Sequence, residues 1–386
     1  MILFSKKTIR LVGALVLICS SVRAAKAQTA TSLIVKAANT FLATLNEKQR
    51  QSVLFAFDDE KQRANWSNLP TSFVPRGGLR LKDMKPAQRS AAMALVSSAL
   101  SQKGFEKVQQ IMEGDEVLKT TDSGLPPGGP NGGGPPPGNP GGPPPGSQGG
   151  PPPGGNGPGP NGPPRQDGPI FGRDLYYISI LGKPSEKDPW MVQFGGHHLA
   201  LNITIAGERG ILTPTLTGAQ PALFTSGGKT VRPLAGESDK ALALLNSLDD
   251  TQKKQAILSY QLADLVLGPG EDGKTIQPEG LKGTAMNDKQ RAMLLDVISQ
   301  WTGIIHDSAA AARMAEMKAD IAETWFAWSG PIIVPPGKNI AAYYRIQGPH
   351  LVIEYAPQTL GGDPSLHVHT MYRDPTNDYG RGIASK

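Results

Sequence analysis

The chain has 386 residues, with 39 lysines and arginines, 33 aspartates and glutamates, and a formal net charge of +6. Residues 1–27 hold five of the basic residues and no acidic one, which leaves 34 basic residues (39 − 5) against 33 acidic residues. This near-balance gives no argument for nucleic acid as a partner. The one cysteine, Cys19, is also in this segment, so the rest of the chain has no disulfide and no thiolate metal ligand.

Residues 1–27 have the features of a secretory signal peptide. Three basic residues precede an apolar run at 11–18, which is too short to span a bilayer, and Ala25-Lys26-Ala27 forms a small-x-small cleavage site. No later stretch has the length and apolar character of a membrane span. The sequence therefore predicts an exported protein, periplasmic or secreted, without a membrane span.

An internal repeat follows. Its offset is 203 residues in the first of three blocks (248 − 45) and 202 in the next two (280 − 78, 286 − 84). The matching blocks are 45–54 with 248–257, 78–80 with 280–282, and Met84 plus Gln88-Arg89 with Met286 plus Gln290-Arg291. Helical spacing of apolar residues and two capping-box patterns predict helices in each copy. The repeated Gln-Arg pairs are either functional, because they recur, or solvent-facing residues of a first helical turn, and we favour the second interpretation.

Residues 124–169 consist almost wholly of Gly, Pro, Asn and Gln, which predicts a disordered insertion. Each copy then continues with residues typical of strands. The predicted strands are 176–181, 190–194 and 199–205, and 325–328, 341–346 and 351–355. The fold class is α+β, with two pseudo-symmetric halves of helices followed by antiparallel strands. We expect residues 28–386 to form one domain of two intertwined repeats, 28–123 plus 170–235, and 236–386.

Strand alternation assigns side chains to the two sides of the sheet. Leu199, Leu201 and Ile203 share one side, which we expect to be buried. The other side carries His198 and Asn202 in the first copy. His350 and Glu354 take the equivalent positions in the second copy, where the offset is 152 (350 − 198) because the Pro/Gly insertion and its flanks lengthen the first copy by about 50 residues. Both copies therefore present a histidine and a polar residue four positions later.

His367-Val368-His369 is the strongest candidate for a metal site, because i, i+2 spacing on a strand puts both imidazoles on one side. His198 is the expected third ligand, and Glu354 is a fourth ligand or general base. His197 is adjacent to His198 and points the opposite way. The expected cofactor is one divalent metal, Zn²⁺ first, with copper or iron as alternatives. The alternative interpretation is that His367 and His369 only hydrogen-bond to acidic residues of the tail.

The polar tail 372–380 offers further candidates. Arg373 could orient an anionic group by a bidentate contact, and Asp378 could act as a general base or orient a histidine. Asp374 is an additional candidate. The alternative interpretation is that the tail has no functional role and forms a turn closed by a salt bridge. His350 is either a participant or only the structural twin of His198.

Other chemistries have no support in the sequence, because the chain contains no G-x-S-x-G elbow, no Walker loop and no H-E-x-x-H helix. We therefore expect no nucleotide cofactor. The leading hypothesis is a metal-dependent hydrolase with an unknown small-molecule or envelope ligand. The alternative is a non-catalytic ligand-binding or structural envelope protein.

Nearly all of the chain after residue 27 resembles one family. The resemblance rests on Phe194-Gly195-Gly196-His197-His198-Leu199, on Ile353-Glu354-Tyr355, and on His367-x-His369 followed by Tyr372-Arg373-Asp374-Pro375 and Asp378-Tyr379-Gly380. These elements resemble the domain-of-unknown-function family numbered 3500. The resemblance implies an exported, mostly bacterial protein and no established activity or substrate. The long Pro/Gly insertion departs from the family pattern.

Overall fold

The computed structural model describes residues 29–121, 170–359 and 362–384. The predicted signal peptide and the predicted insertion at 124–169 lie outside the described residues. Within them the chain is α+β. The helices are α1 (Ala30–Ala43), α2 (Glu47–Val53), α3 (Glu60–Arg63), α4 (Pro86–Ala99), α5 (Gln102–Thr121), α6 (Ala235–Ser247), α7 (Asp250–Ala256), α8 (Asp288–Thr302), α9 (Asp307–Ala319) and α10 (Arg381–Ala384).

Fourteen strands occur in the described part of the chain, and those predicted from the sequence lie within about two residues of their observed bounds. The strands are β1 (Leu54–Phe55), β2 (Leu79–Arg80), β3 (Tyr177–Leu181), β4 (Trp190–Gly196), β5 (Leu199–Ala206), β6 (Arg209–Ile211), β7 (Thr215–Ala219), β8 (Phe224–Ser226), β9 (Lys229–Val231), β10 (Leu281–Lys282), β11 (Trp325–Ser329), β12 (Tyr343–Gly348), β13 (Leu351–Pro357) and β14 (Val368–Arg373).

Twelve of these strands form one mixed sheet in the order β1-β3-β4-β5-β7-β14-β13-β12-β11-β10, with β2 beside β3 and β6 beside β5. All pairs are antiparallel except β1 with β3, a parallel pair that the sequence did not predict. At the centre, β7 pairs with β14 and joins residues from both parts of the chain into one sheet. Strands β8 and β9 form a separate hairpin.

Helices cover one side of the sheet, called here the helix face. Leu199, Leu201 and Ile203 are buried there in a core that includes residues of α1, α4 and α5, as strand alternation predicts. Farther along the sheet, Ile353 and Tyr355 pack in a second core with α6 and α8. Burial of these apolar side chains is the main term that stabilises the sheet against its helices.

The opposite side is the loop face, and it is also buried. Two segments cover it: the first covering loop, residues 56–78, which includes the short helix α3, and the second covering loop, residues 258–280. Trp66 and Leu265 from these loops pack with the strand residues Ala200, Leu216 and Met371. No helix in the described ranges combines the length and apolar composition needed to cross a membrane.

The repeated glutamines have buried side chains, so our solvent-facing interpretation of them was wrong. Gln88 and Gln290 are 5% and 4% exposed. Gln88 hydrogen-bonds to Gln49 through its amide (2.8 Å) and donates to the Thr44 carbonyl (2.8 Å). Gln290 makes the corresponding contacts with Gln252 and the Ser247 carbonyl. Each pair therefore links the N-termini of two helices.

Candidate metal site

His198 lies in the tight turn between β4 and β5 and has a positive φ of 59°, which is uncommon for a residue other than glycine. Two backbone hydrogen bonds hold it there: its N–H donates to the Asn68 carbonyl (3.1 Å) and its carbonyl accepts from the Gly218 N–H (2.7 Å). Strained backbone of this kind persists where the surroundings over-determine it, and it clusters at functional sites.

His367 and His369 approach from the other part of the chain. His369 lies on β14 and His367 directly before it. In β14, Val368 packs in the helix-face core and Met371 in the loop-face cluster, so the odd-numbered residues face the loops. His369 is paired across the sheet with Gly218 of β7, which has no side chain to fill the space between the strands.

The three imidazoles meet at their Nε2 atoms. The Nε2–Nε2 distances are 3.0 Å between His198 and His367, 3.2 Å between His367 and His369, and 3.2 Å between His369 and His198. Three nitrogens this close together could all bind one metal ion at the usual distance of about 2.0–2.1 Å. We call His198, His367 and His369 the histidine trio.

The trio is buried, with exposures of 2%, 6% and 6% in chain order. Burial lowers the pKa of His198, and the neighbouring His197, His367 and His369 lower it further by charge repulsion. A neutral imidazole is the form that binds a metal. The Nδ1 atom of His198 has no hydrogen-bond partner among the described residues.

Each covering loop brings one polar side chain to the trio. Asp264 Oδ1 lies 3.3 Å from His369 Nδ1, and Asn68 Nδ2 lies 3.4 Å from both ring nitrogens of His369. Burial raises the pKa of Asp264, but contacts with His369, the Leu265 N–H and Gln358 outweigh it, so the pKa is lowered overall. A carboxylate on the far nitrogen of a ligand histidine is a common arrangement in metal sites.

Asp115, His197 and His198 form a second buried group whose donor atoms lie within 4.8 Å of one another. His197 Nδ1 is already hydrogen-bonded to Asp115 Oδ1 at 2.6 Å. The rings of His197 and His198 lie against each other, with centroids 3.7 Å apart and planes 32° apart. The prediction that the two side chains point in opposite directions was wrong, because both residues lie in the turn between β4 and β5 and not on a strand. Because His197 Nδ1 is bonded to Asp115, this group supports the His198 ring better than it would chelate an ion.

Glu354 is on the loop face, as alternation predicts, but its carboxylate has other partners. It accepts from the backbone N–H groups of Val266 and Leu267 (both 2.8 Å) and from the Tyr343 hydroxyl (2.6 Å). Glu354 is fully buried. The structure thus places it as an anchor for the second covering loop and not among the trio.

Arg373 and Asp378 are also buried and bonded to each other (3.0 Å). Arg373 donates to the Leu267 and Gly268 carbonyls and to Asp272, all in the second covering loop. Burial raises the pKa of Asp378 to about 6, although Arg373 opposes the shift. Both side chains therefore hold the chain's own loop and tail.

The remaining candidates lie apart from the trio. Asp374 binds Arg313 (2.8 Å) and accepts from Thr376. His350 is exposed and contacts the Thr376 hydroxyl through Nδ1 (3.0 Å). The repeat aligns His350 with His198, but the two histidines have different surroundings.

Sequence reasoning missed Asp264, Asn68, Asp115 and Gly218. The first two lie in loops without apolar periodicity, and no motif marks them. Asp115 is in α5, where an acidic residue usually faces solvent. Gly218 offered one usable signal, because a glycine inside a strand often marks a close approach of another group.

No curated protein and no solved structure matches the chain significantly. A family model described as protein of unknown function (DUF3500) matches residues 27–381, which include every member of the trio. The chain therefore belongs to this family of proteins of unknown function.

Proposed function

We propose that this protein binds one divalent transition metal through His198, His367 and His369 and acts as a metal-dependent hydrolase. The observation that carries the proposal is the convergence of three buried Nε2 atoms within 3.2 Å of one another. Without a cation between them, three imidazole nitrogens at this distance would compete for the same few protons.

The donor set fits zinc best. Three imidazole nitrogens with a fourth position left open are the ligand set of a catalytic zinc site, whereas structural zinc sites are closed by four protein ligands. Copper and iron also accept imidazole ligands and remain alternatives. A bound divalent ion of this kind supplies hydroxide for hydrolysis, because it lowers the pKa of its water to about 7.

The chain's own residues have supporting parts in this proposal. Asn68 lies beside the trio, where its amide can orient a water or a substrate carbonyl. His197 and Asp115 support the ring of His198 from behind. We assign Glu354, Arg373 and Asp378 positioning roles, since their contacts hold the second covering loop and the tail over the loop face.

Metal content tests the first half of the proposal. Purified wild-type protein, equilibrated with zinc and freed of excess ion, is expected to retain about one zinc per chain. The His367→Ala/His369→Ala variant should retain far less. His350→Ala is the matched control, because it removes an exposed histidine outside the trio. Equal, substoichiometric zinc in all three proteins would overturn the proposal.

Hydrolysis tests the second half. A panel of chromogenic esters, amides and phosphate esters is incubated with zinc-loaded wild type, with the double variant and with chelator-treated protein. We expect turnover of at least one substrate class by the wild type alone. Zinc binding without turnover of any class would refute the hydrolase and leave the metal site standing.

A separate cleft of about 190 Å³ favours a second candidate, non-catalytic ligand binding. It lies between β6, α9 and the end of β14, and its lining includes Ile305, Arg313 and Tyr372. Thr213 also lines it with a buried hydroxyl that has no partner among the described residues. If this cleft is the functional site, a ligand should stabilise the protein equally with and without chelator.

We also infer that the protein is exported and is built from two intertwined repeats interrupted by the 124–169 insertion. Two observations support the repeat. Outward from the central β7–β14 pair, the strands follow in the order β5, β4, β3 on one side and β13, β12, β11 on the other. Both parts also contain a buried glutamine pair. N-terminal sequencing of the mature protein tests export, with Gln28 as the expected first residue.

A further inference from the structure

Asp264 of the second covering loop contacts the trio from behind His369, on the side of the ring away from the shared Nε2 atoms. Its Oδ1 contacts His369 Nδ1 at 3.3 Å. Its side chain is 57% exposed, whereas that of His369 is 7% exposed. Asp264 therefore lies between a buried candidate ligand and solvent.

Asp264 is held in this position by two further contacts. Its Oδ1 accepts from the Leu265 N–H (2.7 Å) and from Gln358 Nε2 (2.8 Å). The Gln358 N–H in turn donates to the His367 carbonyl (2.7 Å). The carboxylate is thus fastened to the backbone beside His367 and to the ring of His369.

The contact also selects which nitrogen of His369 faces the metal position. If Nδ1 carries the proton and donates it to Asp264, Nε2 is left with a lone pair directed at His198 and His367. Partners of this kind orient the ring and raise the basicity of the ligand nitrogen.

We propose that Asp264 positions His369 and weakens the binding of anions, relative to neutral ligands, at the open coordination position. This inference rests on the proposed function. Across one imidazole ring, the carboxylate is within about 8 Å of the metal position, which is comparable with the Debye length at physiological ionic strength. Arg373, the residue expected from the sequence to attract an anion, is buried and bonded to the second covering loop.

The negative charge of Asp264 predicts which class of substrate the site prefers. A neutral ester or amide, or a substrate with a cationic group near the scissile bond, fits the site better than a phosphate or a free carboxylate. This preference concerns the same metal position as the proposed hydrolysis and can be measured without knowing the natural substrate.

Cobalt-loaded protein provides the test, because its visible absorption reports ligands that enter the open position. Wild type, Asp264→Asn, Asp264→Ala and the control Asp296→Asn are titrated with imidazole and with acetate at pH 8 and fixed ionic strength. Asp296 is an exposed carboxylate on α8. Asparagine keeps an acceptor for His369 without the charge, and alanine removes both.

For Asp264→Asn, we expect the ratio of acetate affinity to imidazole affinity to rise about tenfold. This value lies between the changes that Coulomb's law gives with the dielectric constant of water and with that of a protein surface. Cobalt affinity should stay near that of the wild type in Asp264→Asn and fall about 10- to 100-fold in Asp264→Ala. An unchanged affinity ratio in Asp264→Asn, or unchanged cobalt affinity in Asp264→Ala, would overturn the inference. Failure of the wild type to bind cobalt would instead refute the proposed metal site.

Discussion

Gly218 gives the imidazole of His198 the space it occupies. A Cβ at Gly218 would lie 3.1 Å from His198 Cδ2 and 2.9 Å from the Val368 carbonyl oxygen. We predict that Gly218→Ala destabilises the fold by about 1–3 kcal/mol, as overpacking does. It should also weaken zinc binding by at least about tenfold, because His198 must move. Urea unfolding and zinc titration measure the two effects.

Gly114→Ala is the matched control for this substitution. Gly114 lies in α5, and a Cβ there would have its nearest neighbour at 3.5 Å. Alanine in a helix interior should stabilise the protein by up to about 1 kcal/mol and leave zinc affinity unchanged. If Gly218→Ala binds zinc as tightly as this control, His198 does not depend on the space at Gly218.

The raised pKa of Asp378 predicts that the stability of the fold depends on pH. The folded protein keeps this proton up to a pKa of about 6, whereas the ordinary value is 3.8, so the folded state binds more protons between these two values. Stability contributed by this group therefore falls as the pH rises from about 4 to about 6, by up to about 3 kcal/mol. Asp378→Asn should lack this component when unfolding free energies are compared at pH 4 and pH 7. Parallel pH profiles for the two proteins would contradict the prediction.

The positions of several single residues in the sheet could be predicted from the sequence. Alternation along β5 and β14 is enough to put Leu201 on the helix face and to put His367 and His369 on one side together. The same argument places Glu354 and Arg373 on the loop face. The two-residue alternation of a strand predicts on which face of the sheet a side chain lies. It does not predict what packs over that face, so the loop contacts of Glu354 and Arg373 could not be predicted.

At the scale of elements, the buried glutamine pairs connect helices that are distant in sequence. We predict that Gln88→Ala costs about 2–4 kcal/mol, because it leaves the Thr44 carbonyl, the Lys85 N–H and the Gln49 amide without their partner. Gln290→Ala should cost the same within about 1 kcal/mol, since its contacts correspond. Chemical denaturation of both variants gives these values.

Lys289→Ala is the control for the glutamine variants. Lys289 is exposed and precedes Gln290 in the first turn of α8. Its loss should change stability by less than about 0.5 kcal/mol. A glutamine variant as stable as this control would show that the buried amide pair contributes nothing to helix docking.

The sequence predicted helices at the start of each copy and the strands β3, β4, β5, β11, β12 and β13, because their apolar residues recur with clear periods. It did not predict the central pairing of β7 with β14. Thr215–Ala219 contains little apolar periodicity and is short, and its place in the sheet depends on contacts with a strand about 150 residues later. Pairing between distant segments leaves no local signal in the chain.

At the scale of the whole molecule, Tyr379 joins the two covering loops. Its hydroxyl accepts from Trp66 Nε1 in the first loop and donates to Asp272 in the second, both at 2.8 Å. Tyr379→Phe should therefore speed amide hydrogen exchange in both loops, equivalent to about 1–3 kcal/mol of lost protection. Hydrogen-exchange mass spectrometry resolves the two loops separately.

Tyr260→Phe is the comparison for that experiment. Tyr260 donates only within the second loop, to Glu279. Its removal should affect exchange in residues 258–280 and leave 56–78 unchanged. An effect of Tyr379→Phe confined to one loop would mean that the loops open independently.

The β7–β14 pair has a consequence for when a metal can be acquired. His198 and His367 are 169 positions apart, so an unfolded chain offers an ion only local pairs such as His367-x-His369. The third nitrogen arrives when the central strands align, and affinity for the metal rises at that step. Occupancy would then stabilise the folded form by mass action. Binding of a cation by all three histidines would therefore indicate that these two distant segments of the chain have folded together.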